Sequence, residues 1–276
     1  MSFSFGFFNE DEVVSANTAQ QPHSVVAPNV TTEPVVRHPP LPMFLEGGDI
    51  EFAAVQVGNA ELLMVVVSQD ESALDKETDI IPGVYEGGYK VWECSVDLTA
   101  MLLQKACTLP ELSTCRAIEL GCGHGFPGVA ALKLGCPRVV FSDLNAEVIN
   151  AVTWPNIFLN ARDIMNRAEC YSGDWDELSS TVLSRGSDDG KFDLILSAET
   201  LYTEASCNKI LSMILRHLSN TGVALIASKR FYFGVGGGTY TLETLVQACG
   251  VLNYHVEQVY QDGASNIREI VRLTRK

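Results

Sequence analysis

No stretch of this 276-residue chain is both long and apolar. Its longest apolar run, Leu62–Val67, falls far short of the roughly 20 residues that cross a bilayer, so no membrane association is expected. The opening Met1–Glu10 has no basic segment and turns acidic at once, which argues against a secretory leader. The eight cysteines, at 94, 107, 115, 122, 136, 170, 207 and 249, include no CxxC pair and have no histidine in register. Neither a zinc site nor a disulfide framework is expected from such spacing. Free thiols in a reducing compartment follow instead, which places the chain in the cytoplasm and leaves a nuclear share open. Basic charge is also scarce: 19 Lys and Arg face 34 Asp and Glu, a net charge of −15. Residues 1–82 alone hold 13 acidic and 2 basic residues. Without a basic stripe, no direct contact with a nucleic-acid backbone is expected. An acidic surface can attract a basic protein partner, although many acidic chains are merely soluble. No internal repeat is visible.

What is present organises into three parts. Residues 1–40 mix Ser, Thr, Asn, Gln and Pro without an apolar period, and read as a disordered or loosely attached tail. Residues 41–82 form an extension with two β-rich runs, Ile50–Val57 and Glu61–Val67, joined by Gly58-Asn59 as a hairpin. Residues 83–276 carry the main domain. A helical pattern over Lys90–Ala106 precedes strands at Arg116–Leu120, Arg138–Ser142, Ala168–Tyr171, Phe192–Ser197 and Gly222–Ser228. Helices are expected over Phe126–Lys133, from Ala146, over Glu177–Leu183, over Glu204–Leu218 and over Leu242–Ala248. Tyr254–Tyr260 and Ile267–Leu273 close the chain as strands. Short buried strands alternating with amphipathic helices predict an α/β fold, a mostly parallel Rossmann-like sheet with helices on both faces.

The densest signal is Ile118-Glu119-Leu120-Gly121-Cys122-Gly123-His124-Gly125. A strand ending in closely spaced glycines lets a ligand approach backbone amides at the carboxyl end of a sheet. Gly123 to Gly128 also fits G-x-G-x-x-G, the dinucleotide fingerprint. Glu119 argues against that ligand, because a carboxylate there repels a pyrophosphate. It suits S-adenosylmethionine, whose sulfonium and ammonium outweigh its one carboxylate. Asp143 ends the next strand, where a carboxylate accepts ribose hydroxyls, with Leu144 and Asn145 following. Asp174, after the third strand, is placed to accept the adenine amino hydrogen, with Leu144 or Trp175 covering the ring. In isolation Asp174 reads equally as a helix N-cap.

Three acids after three successive strands resemble the seven-stranded S-adenosylmethionine-dependent methyltransferase superfamily over residues 90–276. That resemblance implies a reversed last strand near Ile267–Leu273. A narrower resemblance is carried by Gly83 to Cys94 (GVYEGGYKVWEC), Ser197 to Tyr202 (SAETLY), Ala227 to Gly238 (ASKRFYFGVGGG) and the opening Met1 to Phe7. These motifs resemble the protein-histidine N-methyltransferases that modify a large-subunit ribosomal protein. Glu119 and His124 depart from the pattern, since Asp and Ser stand there in some members. The resemblance implies that Trp92 and Glu93 line the donor's methionine end, that Ser197 belongs to the donor site, and that Glu199 and Tyr202 face the acceptor. Taken by itself, Trp92 on a helix is more often core, and Tyr202 is an even choice between core and site. The glycine-rich loop Phe231–Gly238 would shape an acceptor groove.

The implied acceptor is a histidine imidazole of a basic ribosomal protein, methylated on the nitrogen distal to the backbone. A cytosine carbon methylase would need a cysteine nucleophile after the fourth strand, and Ser197-Ala198-Glu199 has none. Adenine amino methylases carry Asn/Asp-Pro-Pro-Tyr there, also absent. Protein-lysine methylation stays open, because related enzymes carry an acid-x-x-Tyr like Glu199 to Tyr202. A binding module that keeps the fold without catalysis is the alternative of a different class. No metal is expected.

Overall fold

The computed structural model describes residues 34–41, 50–67, 85, 87–104, 109–185, 190–261 and 267–276. Most of the expected tail, the opening Met1–Phe7 motif, most of 68–86 and part of the Gly83–Cys94 motif lie outside those residues. The expected hairpin is present: β2 (Phe52–Val57) pairs antiparallel with β3 (Ala60–Val65) across Gly58-Asn59.

The rest is built on one sheet. Its strands are β1 (Val36–His38), β4 (Arg116–Leu120), β5 (Arg138–Asp143), β6 (Ala168–Ser172), β7 (Phe192–Ala198), β8 (Leu218–Lys229), β9 (Leu252–Tyr260) and β10 (Arg268–Arg275). They lie in the order β1-β6-β5-β4-β7-β8-β10-β9. β6, β5, β4, β7 and β8 run parallel. β10 inserts antiparallel between β8 and β9, so the expected reversed last strand is present. The strand order changes direction between β4 and β7, and ligands of open α/β sheets bind at the carboxyl ends beside such a point.

Alternation along the strands explains why helices cover both faces. In β4, Ala117 packs into one core and Ile118 and Leu120 into the other; in β7 the same split sends Leu194 and Leu196 one way and Ile195 the other. The first face receives helix α1 (Glu93–Leu103), α2 (Phe126–Lys133) and α3 through Cys94, Leu98, Val129, Trp154 and Ile157. Helix α3 begins at Ala146–Val148, widens to a π turn over Ile149–Thr153 and continues as Trp154–Ala161. The second face receives α4 (Trp175–Thr181), α5 (Glu204–His217) and α6 (Thr239–Cys249) through Leu178, Ile210, Met213, Ile214, Leu242 and Val246. Each such Leu, Ile or Val side chain, fully buried, contributes about 1.5–3 kcal/mol.

The sheet has eight strands, one more than the expected seven. The extra one is β1, which lies in the stretch read as a loose tail. Val36, Arg37 and His38 pair antiparallel with Ser172, Tyr171 and Cys170 of β6. His38 is held further by Ser172 Oγ at 2.7 Å and by its carbonyl accepting from Trp154 Nε1 at 2.9 Å. Three residues are too few for a period of two to register, and the partners sit more than a hundred residues away.

α1 also starts later than the pattern suggested. Trp92 is its N-cap residue in extended conformation, and its indole Nε1 donates to Gly87 O at 2.9 Å. Among the described residues, no helix is long and apolar enough to cross a membrane, and no cluster of three or more His, Cys, Asp or Glu side chains is arranged to hold a metal.

Candidate active site

A crevice opens at the carboxyl ends of β4, β5, β6 and β7. Of the residues singled out in the sequence, Trp92, Glu119, Gly121, Gly123, Asp143, Leu144, Asp174, Trp175, Glu199 and Tyr202 line it. Glu93, Asn145 and Ser197 do not. Glu93 is exposed and pairs with Arg268 Nη1 of β10 at 3.0 Å, so it turns away from the crevice. Ser197 is fully buried, its Oγ donating to Leu120 O at 2.8 Å and lying 2.7 Å from Thr200 Oγ1. It ties β7 to β4 beneath the site. Asn145 contributes its backbone N–H to Asp143 Oδ1 at 3.2 Å.

The turn after β4 needs its glycines for its own geometry. Gly121 and Gly123 have φ of +66° and +47°, a region that glycine enters at no steric cost. A Cβ on Gly121 would lie 2.5 Å from Thr200 Cγ2, and one on Gly123 would lie 3.2 Å from Gly88 O. Backbone twist and close loop packing therefore require these glycines, beside any approach of a ligand.

The acids hold this turn in place. Asp143, only 6% exposed, accepts from Gly123 N at 2.9 Å through its second oxygen. Glu119, 1% exposed, accepts from Gly128 N at 2.8 Å. That N–H is one of the donors left free in the first turn of α2, where a carboxylate is favoured. Burial nevertheless raises the Glu119 carboxyl well above its ordinary range; the Gly128 N–H opposes this and the nearby Asp143 charge adds to it. Asp174 is the N-cap of α4, accepting from Asp176 N at 2.9 Å. Its other oxygen pairs with Lys209 of α5, which also lines the crevice.

Several contributors had no signal in the spacing. Lys90 lines the crevice and stands with Nζ 4.6 Å from the Trp92 ring centroid. Thr153, in the π turn of α3, donates to Gly123 O at 2.7 Å; π turns often mark functional positions. His124 is buried, with Asn156 Nδ2 at 3.0 Å from its Nδ1 and Tyr89 O at 3.1 Å from its Nε2. Asn156 Oδ1 accepts from Val65 N at 2.7 Å, so the amide's donor end faces the ring. His124 is then the neutral Nε2–H tautomer donating to Tyr89 O, and burial lowers its pKa in keeping with that form. Val65, Asn156, His124 and Tyr89 thus connect the hairpin to the segment that flanks the crevice.

Glu199 follows β7 and, among the described residues, is the one non-glycine with positive φ, +57°. Such a conformation costs about 1–3 kcal/mol and persists where the surroundings impose it. Its N–H is fixed to Ala227 O of β8 at 2.9 Å. One carboxylate oxygen accepts from the Tyr232 hydroxyl; the other, Oε1, is buried and meets no nitrogen or oxygen donor among the described residues, while the Cys94 thiol, a weak donor, hydrogen-bonds to the same carboxylate. Tyr202, 8% exposed, lies on the crevice wall ahead of the Thr203–Ser206 capping box that starts α5.

A family model described as lysine methyltransferase matches residues 69–232. The chain belongs to this methyltransferase family. Among its relatives, the Dictyostelium discoideum histidine protein methyltransferase 1 homolog is 43% identical over 206 residues, covering 75% of this chain and 63% of that protein. The Bos taurus homolog is 33% identical over 226 residues, covering 74% and 59%. The chain therefore spans about three-fifths of the length of these relatives. The Schizosaccharomyces pombe histidine protein methyltransferase 1 is 28% identical over 292 residues, covering 89% of this chain and 85% of that one. A solved Streptococcus mutans structure, described as of a SAM-dependent methyltransferase, superposes with a TM-score of 0.52 at 10% identity. It covers 82% of this chain and 57% of that chain and bears on the fold alone.

Proposed function

We propose that this chain transfers the methyl group of S-adenosylmethionine to a histidine imidazole nitrogen of a basic protein, a large-subunit ribosomal protein in the cytoplasm or nucleus. The observation that carries the reading is Glu199 Oε1, a buried acceptor beside the crevice that meets no nitrogen or oxygen donor among the described residues and has only the weak Cys94 thiol near its carboxylate. A buried unpaired acceptor costs about 1–3 kcal/mol, a cost that an incoming N–H donor removes. The naming of the relatives that match over three-quarters of the chain supports histidine as the source of that N–H.

The crevice fits a cationic donor. Glu119, Asp143, Asp174 and Glu199 place four carboxylates on its wall against Lys90 and Lys209, and Lys209 is already paired with Asp174. In this reading Trp92 and Trp175 supply apolar surface, the Gly121–Gly123 turn admits close approach of the donor to the protein backbone, and Asp143 stands at the end of β5 beside the ribose. Glu93, Asn145 and Ser197 support the site from outside it. When bound, S-adenosylmethionine supplies a methyl group on a sulfonium, which departs as a neutral thioether.

The work left to the protein is alignment. A neutral imidazole is already nucleophilic near neutral pH. Glu199 Oε1 accepts the N–H of one ring nitrogen, which leaves the lone pair of the other, distal nitrogen free to attack. The methylated ring then carries one positive charge, stabilised by the same carboxylate, and loses its N–H proton to return to neutrality. Tyr202 forms the acceptor wall beside it.

Lysine is the second acceptor to weigh, because the matching family model bears that description and a Mus musculus protein-lysine N-methyltransferase is 29% identical over 42% of this chain. A carboxylate orients an amine as readily as an imidazole. Labelled donor transferred into a lysate lacking this methylation, followed by amino-acid analysis of the labelled protein, decides the matter. Methylhistidine in a basic ribosomal protein is expected. Methyllysine as the sole product would overturn the histidine reading, and tight donor binding with no transfer at all would make the chain a binding module.

A further inference from the structure

The loop after β8 contains a tyrosine whose side chain turns back to Glu199 behind the crevice wall. Its aromatic neighbours point outward: Phe233 is 82% exposed, and Phe231 stacks on it with ring centroids 6.2 Å apart. Tyr232 instead donates its hydroxyl to Glu199 and lies 3.2 Å from Ser228 Oγ on β8. Its main chain is the base of the loop. Tyr232 N donates to Gly237 O at 3.2 Å, and Tyr232 O accepts from Val235 N at 3.3 Å and Gly236 N at 3.2 Å. The two ends of the loop are clamped to one buried carboxylate, Glu269 of β10, which takes Arg230 Nη1 at 2.6 Å and the Thr239 hydroxyl. Little freedom remains for the tyrosine ring.

We infer that Tyr232 is a positioning residue, which occupies one oxygen of Glu199 so that the other, Oε1, is presented to the acceptor ring. Without it, a carboxylate on a flexible side chain can rotate, share both oxygens with its surroundings, or turn from the crevice. Two further features agree. Burial, and after it the Glu199 charge, push the Tyr232 hydroxyl up, so it stays protonated and donates. The Cys94 thiol on α1, which hydrogen-bonds to Glu199, is likewise raised by burial first and Glu199 second, so it stays protonated, a weak donor that an imidazole N–H displaces and that adds no competing charge. The positive φ of Glu199 fixes the origin of the side chain, and Tyr232 fixes its end.

The inference rests on the proposed role of Glu199, and the test separates the two. Tyr232→Phe, Glu199→Gln and the double variant are compared with the unsubstituted protein for donor affinity, for kcat and acceptor KM on the acceptor protein, and by crystallography. Loss of one charge-assisted hydrogen bond should lower kcat in Tyr232→Phe by roughly ten- to a hundredfold, with KM and donor affinity little changed. In the Glu199→Gln background the same substitution should have an effect under about twofold, since residues acting as a unit are not additive. The crystal structure of Tyr232→Phe should show the Glu199 carboxylate displaced. An undisplaced carboxylate, undiminished kcat in Tyr232→Phe, or the same fold loss in both backgrounds would overturn the inference. Unsubstituted protein that methylates no histidine would overturn the functional reading instead, and the carboxylate position would still judge Tyr232.

Discussion

Glu119→Gln keeps the size of the side chain and removes its charge. In the folded protein the carboxylate is 1% exposed and, among the described residues, accepts from Gly128 N at 2.8 Å. An ionised group so buried carries a penalty of several kcal/mol, whereas the charge-assisted part of one hydrogen bond offsets about 1 kcal/mol of it. The amide oxygen of glutamine still accepts from Gly128. Because part of the penalty is already relieved by protonation, a net gain of about 1–2 kcal/mol is expected, raising the donor-free melting temperature by roughly 2–8 °C. The pH dependence has a definite sign. Burial raises the Glu119 carboxyl in the folded state, so its stabilising contribution is complete below about pH 4.3, the ordinary glutamate value. That contribution is lost as pH rises through the folded value. The unsubstituted protein should lose stability across that window and the variant should not. A cationic donor favours the charged carboxylate, so donor binding should release a proton from the unsubstituted protein and none from the variant, with weaker binding in the variant. Calorimetry in buffers of differing ionisation enthalpy measures both quantities. A variant that melts lower, binds donor equally well and releases the same proton would refute this account of Glu119.

Three further outcomes follow from the same contacts. Glu199→Ala should lower turnover by roughly a hundredfold or more while donor affinity changes little; parallel losses of kcat and calorimetric affinity would place Glu199 in donor binding instead. Asn156→Ala leaves Val65 N and His124 Nδ1 without partners in a buried place, and should cost about 2–4 kcal/mol; hydrogen exchange at the Val65 amide should speed up, and unchanged melting would refute the hairpin link. Removing residues 1–33 should leave donor affinity intact, whereas removing 1–40 also deletes β1, so a melting temperature unaffected by the longer cut would show that the Val36–His38 pairing contributes nothing.

What could be read in the chain depended on how local its cause was. The parallel strands were legible because they are buried on both faces, and the turn after β4 because three glycines in five residues mark one tight passage. The reversed β10 was legible through resemblance, since periodicity alone does not give a strand its direction. Elements and contacts set by distant partners were not legible. Glu93 sits next to Trp92 in the chain, yet Arg268 draws its carboxylate away from the crevice that Trp92 lines. Ser197 precedes Glu199 by two residues, yet strand alternation points it into the sheet against Leu120. Asp174 caps α4 and also lines the crevice, because its two oxygens serve different partners, Asp176 N and Lys209.

The same distinction separates the proposed donor side of the site from the proposed acceptor side. Donor-side positions sit at the ends of successive strands, so each is announced by the strand before it. The acceptor side converges from α1, the turn after β7 and the loop after β8, which bring Cys94, Glu199 and Tyr232 together from positions 94, 199 and 232. Glu199 directly follows β7, whereas Cys94 lies on a helix and Tyr232 in a loop. A fold can therefore keep its donor residues in a fixed pattern while the acceptor changes, because the groups that orient the acceptor are set by loop anchors such as the Arg230–Glu269 pair. Arg230→Ala makes that separation measurable: loosening the loop should raise acceptor KM and lower kcat through Tyr232 while donor affinity stays within about twofold. Equal loss of donor affinity would mean that the two sides are one unit after all.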